Sequence, residues 1–172
     1  MENMTILKGE KVAVCGSVES GKSILGEGEI PRIYGGGVIV YGRKARAPQS
    51  VGIQIVTIRE NVLLGKEMNK AFYDDVLEAC ALNQDINIWQ GRNLSVVGER
   101  EMNLSGGKKQ RIQLVKAIYS DADVYFLDDP FSAADALGIL VNWRILSNNK
   151  MLFSTFHKFH ITNARRTFMF KI

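Results

Sequence analysis

The chain has little proline, cysteine or histidine: 3, 2 and 2 among 172 residues. Its two cysteines, Cys15 and Cys80, lie inside apolar stretches without metal-type spacing. That pattern fits buried, reduced thiols in a cytosolic protein and excludes a disulfide scaffold. No apolar run approaches the ~20 residues needed to cross a bilayer. The opening Met1 to Thr5 has neither a basic n-region nor an apolar h-region, so no signal peptide is expected and the chain reads as soluble by itself. No sign of charge dominates. The 22 Lys+Arg against 18 Asp+Glu give a formal +4, scattered along the chain. This reads as a solvated surface rather than a nucleic-acid or membrane patch.

What is present is a globular composition. Apolar residues make up 46% and charged residues 23%, which argues against disorder, collagen or a coiled coil. The length suits one domain with a core that needs no staples. Lys11-Val12-Ala13-Val14-Cys15 reads as a buried strand stopping at Gly16, and Val38-Ile39-Val40-Tyr41 as a second. From Asn69 to Leu82, residues Phe72, Val76, Leu77 and Cys80 fall at helical spacing. From Gly106 to Tyr119, Leu114, Val115, Ile118 and Tyr119 do the same. Asp121-Ala122-Asp123 is a turn before the all-apolar Val124-Tyr125-Phe126-Leu127, the pattern of a central parallel strand. Leu152 to Phe156 and Thr167 to Ile172 read as further strands. Strands alternating with helices predict an α/β fold with a mainly parallel sheet.

The glycines mark the chemistry. Gly16-Ser17-Val18-Glu19-Ser20-Gly21-Lys22-Ser23 is a complete G-x-x-x-x-G-K-S directly after the first strand. Polyphosphate needs several converging backbone N–H donors, so the loop must curl tightly, which glycine tolerates. A helix starting there directs its positive dipole end at the anion. Lys22 would reach the β and γ phosphates, and the Ser23 hydroxyl would ligate Mg2+. Farther on, Leu104-Ser105-Gly106-Gly107 opens the second helix, and Asp128-Asp129-Pro130 follows the buried strand. A carboxylate at the end of such a strand, in a chain with a phosphate loop, suits a Mg2+-organising role. Ser105 is a good N-cap by type, but two glycines after it form an anion-binding nest that capping does not require.

At these residues the chain resembles the nucleotide-binding domain of ABC transporters. It is most similar to the first such domain of the C subfamily, the multidrug-resistance-associated type, with plant-like local wording. The resemblance runs from about Lys8 to His157. It rests on Lys8 to Ser17, Thr57-Ile58-Arg59-Glu60-Asn61-Val62, Val97-Gly98-Glu99-Arg100, Leu104 to Gly107 and Leu127-Asp128-Asp129-Pro130-Phe131-Ser132-Ala133. It implies an α/β P-loop NTPase, RecA-like, with a mainly parallel sheet flanked by helices. A helical subdomain over 60–118 would be inserted within a single domain at 1–172 that is incomplete at both ends.

The same resemblance assigns roles. Gly16, Ser17, Val18, Glu19, Ser20, Gly21, Lys22 and Ser23 would hold the phosphates of ATP. Gln49 would contact Mg2+ and the attacking water, and Asp128 would hold Mg2+ through water. Ser105, Gly106 and Gly107 would complete the γ-phosphate site of a second nucleotide-binding domain in a head-to-tail dimer. Asp129 stands where strongly hydrolysing members carry a glutamate base. Ser132 to Asp135 matches the D-loop, and His157 the histidine that senses the γ-phosphate. Transmembrane domains of a transporter would be the other partner, at the cytoplasmic face of a membrane, with no nucleic acid.

The chain also departs from the family pattern. Glu19 replaces a usual glycine in the loop; ~6 Å from a phosphate it would cost on the order of 2–3 kcal/mol per charge at an effective dielectric of about 20. Lys108 replaces a glutamine, adding positive charge at a helix start, a cost of roughly 0.3–1 kcal/mol. Asp129 is a methylene short for a general base, and reach is the first requirement of one. No aromatic residue precedes Gly16 to stack on adenine. The segments after Lys22 and between Asp135 and Lys150 look shortened, and the part after His157 matches poorly. The expected function is an ATP-binding, weakly hydrolysing domain powering ABC-type export. The alternative is a degenerate fragment that keeps the fold without effective turnover. DNA-repair and chromosome ATPases share Leu-Ser-Gly-Gly, but their large insertions have no room between Gln49 and Ser105.

Overall fold

A computed structural model describes residues 11–16, 42–48, 52–98, 104–128, 151–156 and 166–170, with side chains at Val12 and throughout 42–48, 52–98 and 104–128. Five strands form one sheet: β1 (Lys11–Gly16), β2 (Lys44–Ala47), β3 (Val124–Asp128), β4 (Met151–Phe156) and β5 (Arg166–Phe170). Their order is β2-β3-β4-β1-β5, and every pairing is parallel. Among the described residues, four helices lie between β2 and β3: α1 (Ile58–Leu63), α2 (Lys70–Ala79), α3 (Asn83–Ile88) and α4 (Gly106–Tyr119). A single 3-10 turn at Arg92–Leu94 follows α3.

The expected parallel sheet is present, and four of its strands stand where apolar runs pointed. The fifth, β2, is Lys44-Ala45-Arg46-Ala47, with both alanines buried and both cations exposed. Its period of two is clean, but its apolar residues are the smallest available, so no hydrophobic run announces it. Val38 to Tyr41, expected as a strand, lies outside the described residues. β3 is buried at Val124 through Leu127. Tyr125 and Leu127 join the helical core, so the strand is covered on both faces as its continuous apolar run requires.

The core lies between the sheet and the helices. Ile58 and Val62 of α1, Val76 of α2 and Ile112 and Val115 of α4 are each at most 1% exposed. Burying one such side chain stabilises the fold by about 1.5–3 kcal/mol. Helix α4 packs on β2 on one side and on α1 and α2 on the other. Cys80 is free and fully buried, and burial pushes its thiol well above the usual range, so it is inert filling rather than a nucleophile.

Local signals place the helix starts. Thr57 caps α1: its hydroxyl accepts from the Glu60 amide at 3.1 Å, and the Glu60 carboxylate accepts from the Thr57 amide at 2.9 Å. This reciprocal pair satisfies two donors that a bare helix end leaves orphaned. Asn69 caps α2 by accepting from the Phe72 amide at 3.1 Å. At the far end of α4, the Tyr119 hydroxyl accepts from the Asn69 amide at 2.9 Å and donates to the Glu67 carbonyl at 3.1 Å. Its ring stacks on Phe72 at 5.4 Å.

Candidate nucleotide-binding site

The strand order fixes where a ligand would bind. Among the described strands, the one following β1 lies three places to one side of it, and the one following β4 lies on the other side of β1. In an open parallel sheet, neighbouring strands whose successors run in opposite directions leave a crevice outside their carboxyl ends. Among the described strands, the neighbouring pair with that property is β1 and β4. Gly16 is the carboxyl-terminal residue of β1, and Asp128 that of β3, on the opposite flank of β4.

Register refines the placement. Asp128 pairs with Thr155, and Thr155 pairs with Val14, so these three share one row across the sheet. Gly16 stands two residues farther along. With strands about 4.8 Å apart and a rise of about 3.3 Å per residue, Gly16 and Asp128 are about 12 Å apart between their Cα atoms. Asp128 is partly exposed, unlike the buried residues before it in β3. Ala47, at the end of β2, pairs with Leu127, so Pro48 follows at the level of Asp128. Of the expected site residues, the sheet therefore brings Gly16 and Asp128 to one edge. Ser17, Val18, Glu19, Ser20, Gly21, Lys22, Ser23, Gln49, Asp129 and His157 lie outside the described residues.

Ser105, Gly106 and Gly107 open α4 as expected. Ser105 is the N-cap, accepting from the Lys108 amide at a long 3.4 Å. Ser105 and Gly106 are exposed. A Cβ added to Gly106 would meet nothing within 4 Å, and the residue does not need a left-handed backbone. No crowding among the described residues requires glycine there, although glycine costs about 1 kcal/mol against alanine inside a helix. Such a position suits close approach by something outside the chain.

The lysine expected to burden this helix start is compensated. The Lys108 ammonium lies 3.8 Å from a carboxylate oxygen of Asp85 on α3 and 5.7 Å from the centre of the Trp89 ring. Asp85 also accepts from Arg111 of α4, through Nε at 2.9 Å and Nη2 at 2.6 Å. Sequence reasoning missed Asp85, because its partners are 23 and 26 positions away and no local pattern joins them.

Asn61 was also missed as an individual, though it stands inside a quoted motif. Its side chain is buried, with the carbonyl oxygen accepting from the Gln54 amide at 2.9 Å. Its NH2 donates to the carbonyls of Gln54 at 3.0 Å and Thr57 at 3.1 Å. Asn61 thus shapes the segment beginning two residues beyond Gly52, whose carbonyl accepts from Lys116 of α4 at 3.4 Å. The sequence signal was available in Thr57-Ile58-Arg59-Glu60, which spells a capping box.

Among the described residues no group of three or more His, Cys, Asp or Glu could hold a metal ion, and no helix is long and apolar enough to cross a membrane. A Mg2+ here would need the Asp128 carboxylate supplemented by phosphate oxygens.

Comparison with known proteins agrees with this geometry. The pattern of the family described as ABC transporter matches residues 2–132. ABC transporter C family member 6 of Arabidopsis thaliana is 52% identical over 137 residues, covering 78% of this chain and 9% of that protein. ABC transporter C family member 13 of Oryza sativa subsp. japonica is 48% identical over the same shares. ATP-binding cassette sub-family C member 2 of Rattus norvegicus is 47% identical, again over 78% of this chain and 9% of its own. The chain spans about a tenth of the length of these relatives. With a P-loop NTPase sheet, its phosphate-loop strand and its acidic strand ending at one edge, and this pattern across most of its length, the chain belongs to the ABC transporter family as an ATP-binding domain.

Proposed function

We propose that this domain binds Mg-ATP at the carboxyl edge of its sheet and serves, paired with a second nucleotide-binding domain, as a weakly hydrolysing engine of ABC-type export. The observation that carries the reading is the convergence of Gly16 and Asp128 on the two flanks of β4. The span of about 12 Å between them accommodates a phosphate chain with a hydrated cation. Gly16 to Ser23 would wrap the phosphates, with Lys22 neutralising β and γ oxygens. Ser23, Gln49 and Asp128 would hold Mg2+ directly or through water, and Mg2+ would supply charge neutralisation at the γ-phosphate.

Asp129 and His157 are the candidates for positioning the attacking water and sensing the γ-phosphate. The short reach of Asp129 supports binding stronger than turnover. The exposed Ser105 and Gly106 at the start of α4 support a partner: the turn would supply N–H donors to the phosphate of an opposed domain. Residues 60–118, with four described helical segments between β2 and β3, correspond to the helical subdomain in this reading. Transmembrane domains would be the second partner, placing the domain at the cytoplasmic face of a membrane.

The test is titration of a fluorescent ATP analogue with Mg2+ into the purified chain, beside Lys22→Ala. Binding that Lys22→Ala abolishes is expected. No Lys22-dependent signal at millimolar nucleotide would instead favour the degenerate fragment. Glu19→Gly is expected to raise affinity, as the repulsion from its carboxylate is removed; an unchanged affinity would place that carboxylate away from the phosphates.

A further inference from the structure

We infer that Asp85 is the positioning residue of the Ser105–Gly107 turn, holding the start of α4 in the geometry a phosphate needs. The inference rests on the reading of that turn as half of a composite phosphate site.

The start of α4 has little support of its own. Gly106 and Gly107 each weaken a helix by about 1 kcal/mol relative to alanine. The first turn contains no acidic residue, while Lys108 and Lys109 oppose the helix dipole. The cap from Ser105 is long at 3.4 Å. Local propensity alone would let this turn fray.

The missing negative charge arrives from α3. Asp85 has a side chain only 9% exposed and holds Arg111 through two hydrogen bonds to one carboxylate oxygen, at 2.9 and 2.6 Å. Its other oxygen faces the Lys108 ammonium at 3.8 Å. Lys108 and Arg111 are three apart, so they share one face of α4, and Asp85 grips that face at two successive points. Trp89 supports Lys108 from beside it. Asp85 also stands in the first turn of α3, where the dipole of that helix favours a carboxylate. One buried acid therefore secures two helix starts.

The consequence is directional. The first N–H groups of α4 have no acceptor within the helix, and a fixed axis aims them at a fixed point in solvent. Gly106 places no side chain over them. A turn that frayed would lose that convergence before it lost any contact of its own.

The sign of the effect separates positioning from charge. Removing the Asp85 carboxylate leaves Lys108 and Arg111 uncompensated, so a purely electrostatic role predicts tighter phosphate binding at the turn. A positioning role predicts weaker binding. The test follows backbone amide signals of the full chain by NMR during titration with inorganic tripolyphosphate. In the wild-type chain the amides of Gly106 to Lys108 and those of Gly16 to Ser23 both shift. In Asp85→Asn the apparent affinity reported by Gly106 to Lys108 falls at least fivefold, while that reported by Gly16 to Ser23 stays within twofold. Asp85→Glu, which keeps the charge, restores at least half of the lost response.

An unchanged or tighter response at the turn overturns the inference, and so does an equal loss at both places. Should Asp85→Asn fail to fold, Arg111→Lys decides. It keeps the charge but loses the paired hydrogen bonds, and is expected to weaken the turn response about threefold and selectively; an intact response then refutes the inference. The wild-type titration separates this from the reading beneath it. Silence at Gly16 to Ser23 counts against ATP binding, whereas silence at Gly106 to Lys108 alone counts against the positioning of the turn.

Discussion

The two ends of helix α4 are built on opposite principles. At its carboxyl end Tyr119 is buried, its hydroxyl both accepts and donates, and its ring packs against Phe72 and Tyr73. Ser120 beyond it is tied down as well, its carbonyl accepting from Lys66 at 2.6 Å. The chain then turns into β3, where the Asp123 carboxylate accepts from the Arg43 amide at 2.8 Å and Gly42 adopts a φ of +98°. The contacts that order this end come from the chain itself. At the amino end of α4, Ser105 and Gly106 are exposed, and a long cap from Ser105 is joined by an ion pair from α3. The closed end serves stability, and the open end is where the proposed phosphate contact would form.

Substitutions at the two ends should therefore differ in sign as well as size. The largest effect is expected for Gly42→Ala. The new Cβ would lie 2.8 Å from Cβ of Asp123, on a left-handed backbone that alanine resists. A loss of roughly 2–3 kcal/mol is expected, read as a lowered urea midpoint with unchanged nucleotide affinity below the transition. Next is Tyr119→Phe, which strands the Asn69 amide and the Glu67 carbonyl and should cost about 1–3 kcal/mol by the same measurement. A cost near zero for either would show that the closed end is not closed.

Gly106→Ala should go the other way. With open space and no left-handed φ, the variant should gain up to about 1 kcal/mol in stability. It should at the same time weaken the response of the turn to tripolyphosphate, because the methyl group blocks close approach. A gain in stability with full phosphate response would break the contrast between the ends.

The smallest effect concerns pH. The Thr57 hydroxyl and amide hold the exposed Glu60 carboxyl below its ordinary value. A lowered folded-state pKa means stability present above the unfolded value and lost as pH falls through the folded one. Comparing acid titrations of the wild-type chain and Glu60→Gln should show a small stability difference that fades in that acid window; a difference constant with pH would remove Glu60 from the account.

Much of this architecture was legible in the sequence because its signals are local. The bounds of α4 follow from Ser105, the two glycines and an apolar face, and β3 follows from four apolar residues in a row. The G-x-x-x-x-G-K-S at 16–23 stands out in the sequence because close approach to an anion dictates glycine and lysine at fixed spacing. All of it after Gly16 lies outside the described residues. What was not legible depends on distance or on small side chains. Ala45 and Ala47 make a buried face too modest to stand out, and only pairing with β3 makes β2 a strand. Asp85 reads as an ordinary first-turn acid of α3 until folding brings Arg111 against it. The cost assigned to Lys108 is offset by that same carboxylate and by Trp89, neither adjacent in sequence.

The short strand β2 has a further consequence, for association rather than binding. It ends the row of described strands, and an end strand with open hydrogen-bonding groups is a template for a foreign chain. Yet it offers only four residues, with Lys44 and Arg46 exposed between its two alanines. An incoming strand would gain few ladder bonds and would meet two exposed cationic side chains, so these four residues make a poor template for pairing between chains.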